Sequence, residues 1–278
     1  MNADLHCHSI VSDGCLEPAG LVRRAHDNGV ELLSLTDHDE LSGTAEAARE
    51  AALLGVRFVP GVEVSVSYRD VTVHVVGLGV DPEDPALGAG LARVRAGREE
   101  RAQRMADALA RIGLGGMLAG ARRFARNPAM IGRAHFARYL VASGVMPDVR
   151  TVFEHYLSNG KPGFIPHRWA DLEEAVNWIR GAGGIAVAAH PARYCQRFST
   201  AALGRFFDAF VAAGGEGVEV ASGAHSPEEV QRFATLARRY GLLASVGSDF
   251  HGEGESQMDI GRCYPLPPDL TPVWSRLL

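Results

Sequence analysis

A chain of 278 residues with 46% apolar side chains can bury a large core, and its length fits one α/β barrel or two ordinary domains. No run of about eighteen apolar residues occurs and no basic-then-apolar leader opens the chain, which argues against a membrane span or signal peptide and for a soluble cytoplasmic protein. Net charge is −5, and Cys7, Cys15, Cys195 and Cys263 form no C-x-x-C pair, which argues against a cysteine zinc site and for unpaired thiols in a reducing compartment.

The first element is the extended stretch ADLHCHSIVSDG, beginning at Ala3. Side chains of a strand alternate between faces, so Asp4, His6 and His8 share one face and Leu5 and Cys7 the other. Two imidazoles converging on one point is what a metal collects, at about 2.0–2.2 Å, although His-x-His alone is as readily a chance pair. A helical pattern over Pro18–Asn28 leads to the apolar run VELLSL, which ends in Thr36-Asp37-His38. A second helix over Gly43–Leu54 leads to VRFVPGVEVSV, carrying Glu63, and to DVTVHVVGLGV, carrying His74. Further on, a helix over Leu172–Gly181 precedes GGIAVAAH, which ends in His190, and GVEVAS precedes His225. A helix over Pro227–Tyr240, opened by Ser226-Pro227-Glu228-Glu229 and closed by Gly241, precedes LLASVGSDFH with its Asp249 and His251. CYPLPPDL reads as a terminal extended segment. Apolar runs alternating with helices predict parallel strands buried on both faces, and the polar residues fall near strand ends that face one mouth of a barrel.

The rhythm breaks from Arg98 to Pro166, where REERAQRMADALARIG is the clearest helix and no long apolar strand occurs. Residues 98–166 are therefore expected to form a helical insertion over the mouth, between barrel segments 1–97 and 167–278. Arg93 to Arg138 holds eleven arginines against Glu99, Glu100 and Asp107, a balance that suits an anionic substrate and equally a solvated basic face. Of 28 basic residues only Lys161 is lysine; a point charge on a phosphate would explain it, and so would compositional accident.

Nine metal-ligand types fall at strand ends: His6, His8, Asp13, His38, Glu63, His74, His190, Asp249 and His251. Taken singly, His74 inside an apolar strand reads as a core histidine, while His26, His135, His155 and His167 lack the strand-end placement. In order, DLHCHSIVSDG, SLTDHD, GVEVS, VHVVGLGVD, AAHPAR and VGSDFH resemble the successive motifs of the PHP (polymerase and histidinol phosphatase) family. IGRAHFARYLV and YLSNGKPGFIP resemble its branch acting on nucleotides and short RNA.

The resemblance implies a distorted (β/α)7 barrel. It implies one metal on His6, His8, Glu63 and Asp249, with Glu63 bridging to a second on His74 and His190, and a third on Asp13, His38 and His251. Some relatives carry histidine where Asp13 stands, and a carboxylate there favours manganese or magnesium at the third position. Mixed nitrogen and oxygen ligands suit two or three divalent ions, Mn first, with Fe and Zn as alternatives. Asp4 and Asp37 are candidates either to orient histidines or for turn roles. The implied activity is removal of the 3′-phosphate of a nucleoside 3′,5′-bisphosphate by attack of a metal-bound hydroxide, with His190, His225 or His251 protonating the leaving group. Arg133, His135, Lys161 and Arg193 are candidates for the second phosphate, or for salt bridges between insertion and barrel. Phe164, Trp169 or Tyr194 would stack on a base or pack in the core.

The alternatives are a 5′–3′ exonuclease on short RNA and another small phosphomonoesterase, such as one acting on histidinol phosphate. A non-catalytic PHP module of a polymerase is disfavoured because no polymerase segment accompanies it. An amidohydrolase would share the barrel and first His-x-His without explaining Asp13, His38 and His251. No segment signals a protein or membrane partner.

Overall fold

The computed structural model describes residues 1–195 and 197–278. The strands are Ala3–Asp4 (β1), Leu32–Leu33 (β2), Arg57–Phe58 (β3), Gly61–Tyr68 (β4), Val71–Leu78 (β5), Ala170–Asp171 (β6), Ile185–Ala188 (β7), Gly217–Ser222 (β8) and Leu243–Gly247 (β9). β1, β2 and β3 pair in parallel in one sheet; the second sheet has the order β6-β4-β5-β7-β8-β9. Two sets of contacts join the sheets into a ring. The Leu5 N–H donates to the Val246 carbonyl at 2.9 Å and Cys7 bridges Phe250, while His38 bridges Glu63. With β3 and β4 taken as one strand bent at Val59-Pro60, and with β6 an edge strand that pairs only with the far end of β4, the ring has seven positions, as expected of a distorted (β/α)7 barrel.

The expectation of uniformly parallel strands is corrected at β5. It pairs antiparallel with β4 along its whole length, Tyr68 opposite Val71, and antiparallel with β7. Only Arg69 and Asp70 join β4 to β5, far fewer than the dozen residues a parallel crossover needs. Arg69 takes φ +54°, the left-handed conformation that such a tight turn demands.

Helices cover the ring in chain order: Pro18–Asp27 (α1), Thr44–Leu54 (α2), Pro85–Ala96 (α3), Arg98–Ala110 (α4), Met117–Arg122 (α5), Arg133–Ala142 (α6), Val149–Val152 (α7), Leu172–Gly181 (α8), Ala192–Cys195 (α9), Thr200–Ala212 (α10) and Pro227–Tyr240 (α11). The ends of α11 follow from local chemistry. Glu229 accepts the Ser226 N–H at 2.8 Å, Ser226 Oγ accepts the Glu229 N–H at 3.3 Å, and Gly241 closes the helix at φ +65°. Among the described residues no helix is long and apolar enough to cross a membrane.

The stretch 98–166 carries α4 to α7 and an apolar core of its own, built from Ala102, Met105, Leu109, Phe136, Leu140, Val152 and Leu157. Buried ionic contacts tie it to the ring. Arg98 pairs with Asp39, and Arg138 holds both Glu255 oxygens at 2.8 Å and donates to the Asp13 carbonyl at 2.5 Å.

Candidate metal centre

β1 leads straight into His6 and His8, and the alternation of a strand turns both rings to the inside of the ring while Cys7 faces away into a second apolar cluster. β9 lies so close that a Cβ on Gly247 would stand 2.2 Å from the His6 Cβ. Gly247→Ala is therefore expected to cost about 1–3 kcal/mol, read as a lower urea midpoint with an unchanged slope.

The structure gathers all nine candidate ligands. Ligand atoms of His6, His8, Glu63 and Asp249 lie within 4.8 Å of one another, as do those of His38, Glu63 and His74, and those of His8, Asp13, His38 and His251. His190 Nε2 joins the second group, 2.9 Å from Glu63 Oε1 and 3.3 Å from His74 Nδ1. The grouping departs from the expected one in two respects: His38 reaches both the second and third groups, and His8 reaches the third as well as the first. Strand spacing alone does not show this, because these rings meet across different strands.

The donor set fits cations. His6 Nε2 and His8 Nε2 stand 3.2 Å apart, and His38 Nδ1 lies 2.8 Å from Glu63 Oε2 without forming a hydrogen bond. Glu63 Oε2 is buried and has no hydrogen-bond partner at all, an expensive state for a carboxylate oxygen unless a cation meets it. Protonation states divide with the local charge: although burial opposes it, nearby carboxylates raise His6, His251 and His38, the last to about 9, while His8 and His190 go the other way. Burial, reinforced by the neighbouring charges of His251 and His38, pushes His8 down to about 3, and burial with Arg193 does the same for His190. Burial works against ionising Glu63 and Asp249, yet surrounding histidines, and Arg193 beside Asp249, hold both well below the usual carboxylate range. Neutral imidazoles and ionised carboxylates are the forms that ligate. His190 and Asp249 also sit at φ +28° and +53°, backbone strain of the kind that clusters at functional sites.

Of the two roles open to Asp4 and Asp37, the turn role is the one observed. Asp37 accepts from Ser9 N–H, Ser9 Oγ and Ser12 Oγ, and Asp4 accepts from the N–H groups of Ser248 and Gly261, so both clamp loops and neither touches a histidine ring. Outside the three ligand groups the carboxylate that does is Glu219, which the sequence motifs do not single out: Oε1 accepts from His6 Nδ1–H at 2.6 Å and Oε2 accepts the His190 N–H at 2.6 Å. Its signal was present, since GVEVAS repeats the pattern of GVEVS, an acid inside an apolar strand run.

Two cavities flank the centre. One of about 1040 Å³ is lined by His74, His190, Arg193 and Tyr194 from the ring and by Arg133, Ser158, Asn159 and Phe164 from the stretch 98–166. Another of about 270 Å³ is lined by Arg193, Asp249, His251 and Glu255. Arg193 borders both and pairs with Asp249. Arg133 is half-buried, its guanidinium 5.5 Å from the Phe153 ring and 5.9 Å from the Phe164 ring.

The surroundings of several candidate residues bear on the roles left open for them. His225 is buried with both nitrogens engaged by backbone, Nδ1–H donating to Val220 O and Nε2 accepting the Ala192 N–H, so it is not free to protonate a leaving group. His135 is buried, accepts the Gly132 N–H at 3.0 Å and lines neither cavity. Lys161 is exposed on the turn after Asn159 and does not line the large cavity. Trp169 lies beneath Arg98 and Arg101, at 4.9 and 5.4 Å, and is not part of the large cavity's wall, whereas Phe164 and Tyr194 both line it, Tyr194 largely buried with its hydroxyl accepting the His74 N–H.

A PHP domain match spans residues 4–158. The chain is 52% identical to a 3′,5′-nucleoside bisphosphate phosphatase of Chromobacterium violaceum, over 99% of this chain and 96% of the relative. It is 40% identical to a 5′-3′ exoribonuclease of Escherichia coli, over 98% and 92%. A solved Chromobacterium violaceum structure, described as an amidohydrolase with bound sulfate, superposes at TM-score 0.96 with 52% identity, covering 100% of this chain and 96% of that one. A second, from Bifidobacterium adolescentis and described as a putative metal-dependent phosphoesterase, superposes at 0.85 with 30% identity, covering 99% and 94%. With a domain match over more than half its length and full-length relatives at 40 to 52% identity, the chain belongs to the PHP domain family.

Proposed function

We propose that this protein is a metal-dependent phosphoesterase that removes the 3′-phosphate of nucleoside 3′,5′-bisphosphates, leaving the 5′-nucleotide. The observation that carries this reading is the three-fold cluster of ligands opening beside a cavity with arginines at separate points on its wall. Divalent cations, manganese first among them, would be held by His6, His8, Glu63 and Asp249, by Glu63, His74 and His190, and by Asp13, His38 and His251. When bound they supply Lewis acidity to phosphoryl oxygens and lower the pKa of a bound water.

The chain's own groups do the rest. Arg193, at the junction of the two cavities, meets the scissile phosphate and offsets charge developing on its oxygens. Arg133, steadied between Phe153 and Phe164, takes the second phosphate, and Phe164 faces the base. His190 and His251 serve as ligands, a role that occupies the lone pair a proton donor would need; His251 Nδ1–H already donates to the Asp249 carbonyl at 2.8 Å. Residues 98–166 act as an inserted helical subdomain that walls the cavity and keeps bulk water from the barrel segments 1–97 and 167–278.

The deciding experiment compares phosphate release from adenosine 3′,5′-bisphosphate with attack on a 5′-phosphorylated RNA trinucleotide by the Mn²⁺-loaded protein, with products separated. Loss of the 3′-phosphate to give 5′-AMP at the higher kcat/KM is expected. The size of the larger cavity favours one second reading, stepwise release of mononucleotides from short RNA, and a higher kcat/KM for the trinucleotide would establish it instead. Arg133→Met is expected to lower kcat/KM for the bisphosphate about tenfold or more, equivalent to losing a charge-assisted contact of about 1.5–3 kcal/mol. A generic phosphomonoester should be little affected. Lys161→Met, on its exposed turn, is expected to change bisphosphate turnover less than Arg133→Met does; the reverse order would move the second phosphate to the turn.

Removal of metal gives an independent check. At a hundredfold excess over Kd each site adds about 2.7 kcal/mol to stability, so dialysis against EDTA is expected to lower the melting temperature by about 5 °C or more, and Mn²⁺ should restore it.

A further inference from the structure

We propose that Glu219 is a positioning residue for two ligands at once: one carboxylate oxygen fixes the His6 ring so that Nε2 faces the cluster, and the other holds the His190 backbone in its left-handed turn. Glu219 sits in β8, fully inside the ring, and belongs to none of the three ligand groups. Its two oxygens are committed in different directions, Oε1 to His6 Nδ1 and Oε2 to the His190 N–H, each at 2.6 Å.

An ionised carboxylate only accepts, so His6 donates from Nδ1, and Nε2 is the nitrogen turned to the cluster, where it would meet a cation. That nitrogen is the one 3.3 Å from Glu63 and 3.2 Å from His8 Nε2. Acceptors for the other ring nitrogen are a common way of setting tautomer and ring direction at metal sites. The second contact acts through the main chain. His190 holds φ +28°, a conformation costly for a residue with a Cβ, and its N–H is pinned by Glu219 while Nε2 meets Glu63. One side chain thus links a ligand of the first group to a ligand of the second.

The isosteric amide of a Glu219→Gln variant cannot reproduce this. If the amide oxygen accepted the His190 N–H, the NH₂ group would face His6 Nδ1 and drive the proton to Nε2, where it blocks ligation. If the amide were flipped, two donors would meet at His190 and release the strained turn. Both orientations weaken metal binding without changing volume.

The inference rests on the metal-centre reading, and the test separates the two. Mn²⁺ affinity is measured by chelator competition for wild type, Glu219→Gln, Glu219→Asp and a surface control, Glu216→Gln, each checked for native circular dichroism. Glu219→Gln is expected to lose affinity by about 10- to 100-fold, Glu219→Asp less, and Glu216→Gln none. In metal-free wild type, ¹H–¹⁵N spectra of labelled imidazoles should show a His6 Nδ1 proton shifted downfield by its carboxylate partner, absent in Glu219→Gln. Glu219→Gln within twofold of wild-type affinity, or a wild-type His6 without that Nδ1 proton, overturns the assignment. Should Glu219→Gln fail to fold, the wild-type His6 signal and Glu219→Asp decide. Wild type that binds no Mn²⁺ overturns the metal-centre reading, while the His6 proton still tests the contact with Glu219.

Discussion

Glu63→Gln is expected to lower kcat/KM for the bisphosphate by about a thousandfold or more and to strip metal from the protein. Glu63 is fully buried, and its oxygens lie 3.3 Å from His6 Nε2, 3.4 Å from His8 Nε2, 2.8 Å from His38 Nδ1, 2.8 Å from His74 Nδ1 and 2.9 Å from His190 Nε2. No other candidate ligand touches so many of the histidines, so one neutralised charge weakens more than one metal position. Lewis-acid stabilisation is worth several kcal/mol, and a loss of about 4 kcal/mol corresponds to about a thousandfold in rate. Steady-state kinetics paired with metal analysis checks this. A variant retaining a tenth of the activity with full metal content would remove Glu63 from its bridging role.

Arg98→Ala is expected to destabilise the protein by about 3–5 kcal/mol, the usual consequence of leaving a buried charge without its partner. Asp39 is wholly buried, and it also accepts from Ser65 N–H at 2.7 Å and Ser65 Oγ at 2.8 Å. Arg98 opens α4, and its guanidinium lies 4.9 Å from the Trp169 ring, so the substitution removes packing as well as charge. Because the pair joins 98–166 to the ring next to His38, activity should fall with stability. Urea denaturation of Arg98→Ala, Asp39→Asn and the double variant gives the coupling directly; a coupling below about 0.5 kcal/mol would place the pair among the ordinary surface bridges.

Much of this molecule is legible along the chain. Helices at Leu172–Gly181 and Pro227–Tyr240 have the bounds their sequence signals give, because Ser226, Glu229 and Gly241 act on backbone groups within a few residues. The nine candidate ligands were visible because each follows or interrupts a short apolar run, a pattern set by strand alternation. The antiparallel β5 was hidden by the same apolar continuity, since a strand buried on both faces looks alike in either direction; the two-residue Arg69-Asp70 link was the clue. Sequence left single side chains such as His135, His225 and Lys161 with more than one role, because their chemistry suits a phosphate site while their surroundings, which separate the roles, come from other segments.

What the sequence by itself determined is therefore local or periodic: the helix ends, the alternation that turns His6 and His8 to one side, the supply of ligands, and the break in rhythm at Arg98. Only the tertiary structure decided which rings share Glu63, that Glu219 backs both His6 and His190, and that Arg133 and Arg193 reach the cavity while Lys161 stays outside. Those contacts join residues far apart in the chain, Glu219 and His6 being 213 positions apart. Their geometry is fixed by how seven strand positions close into a ring, and no pattern within a single segment encodes that closure.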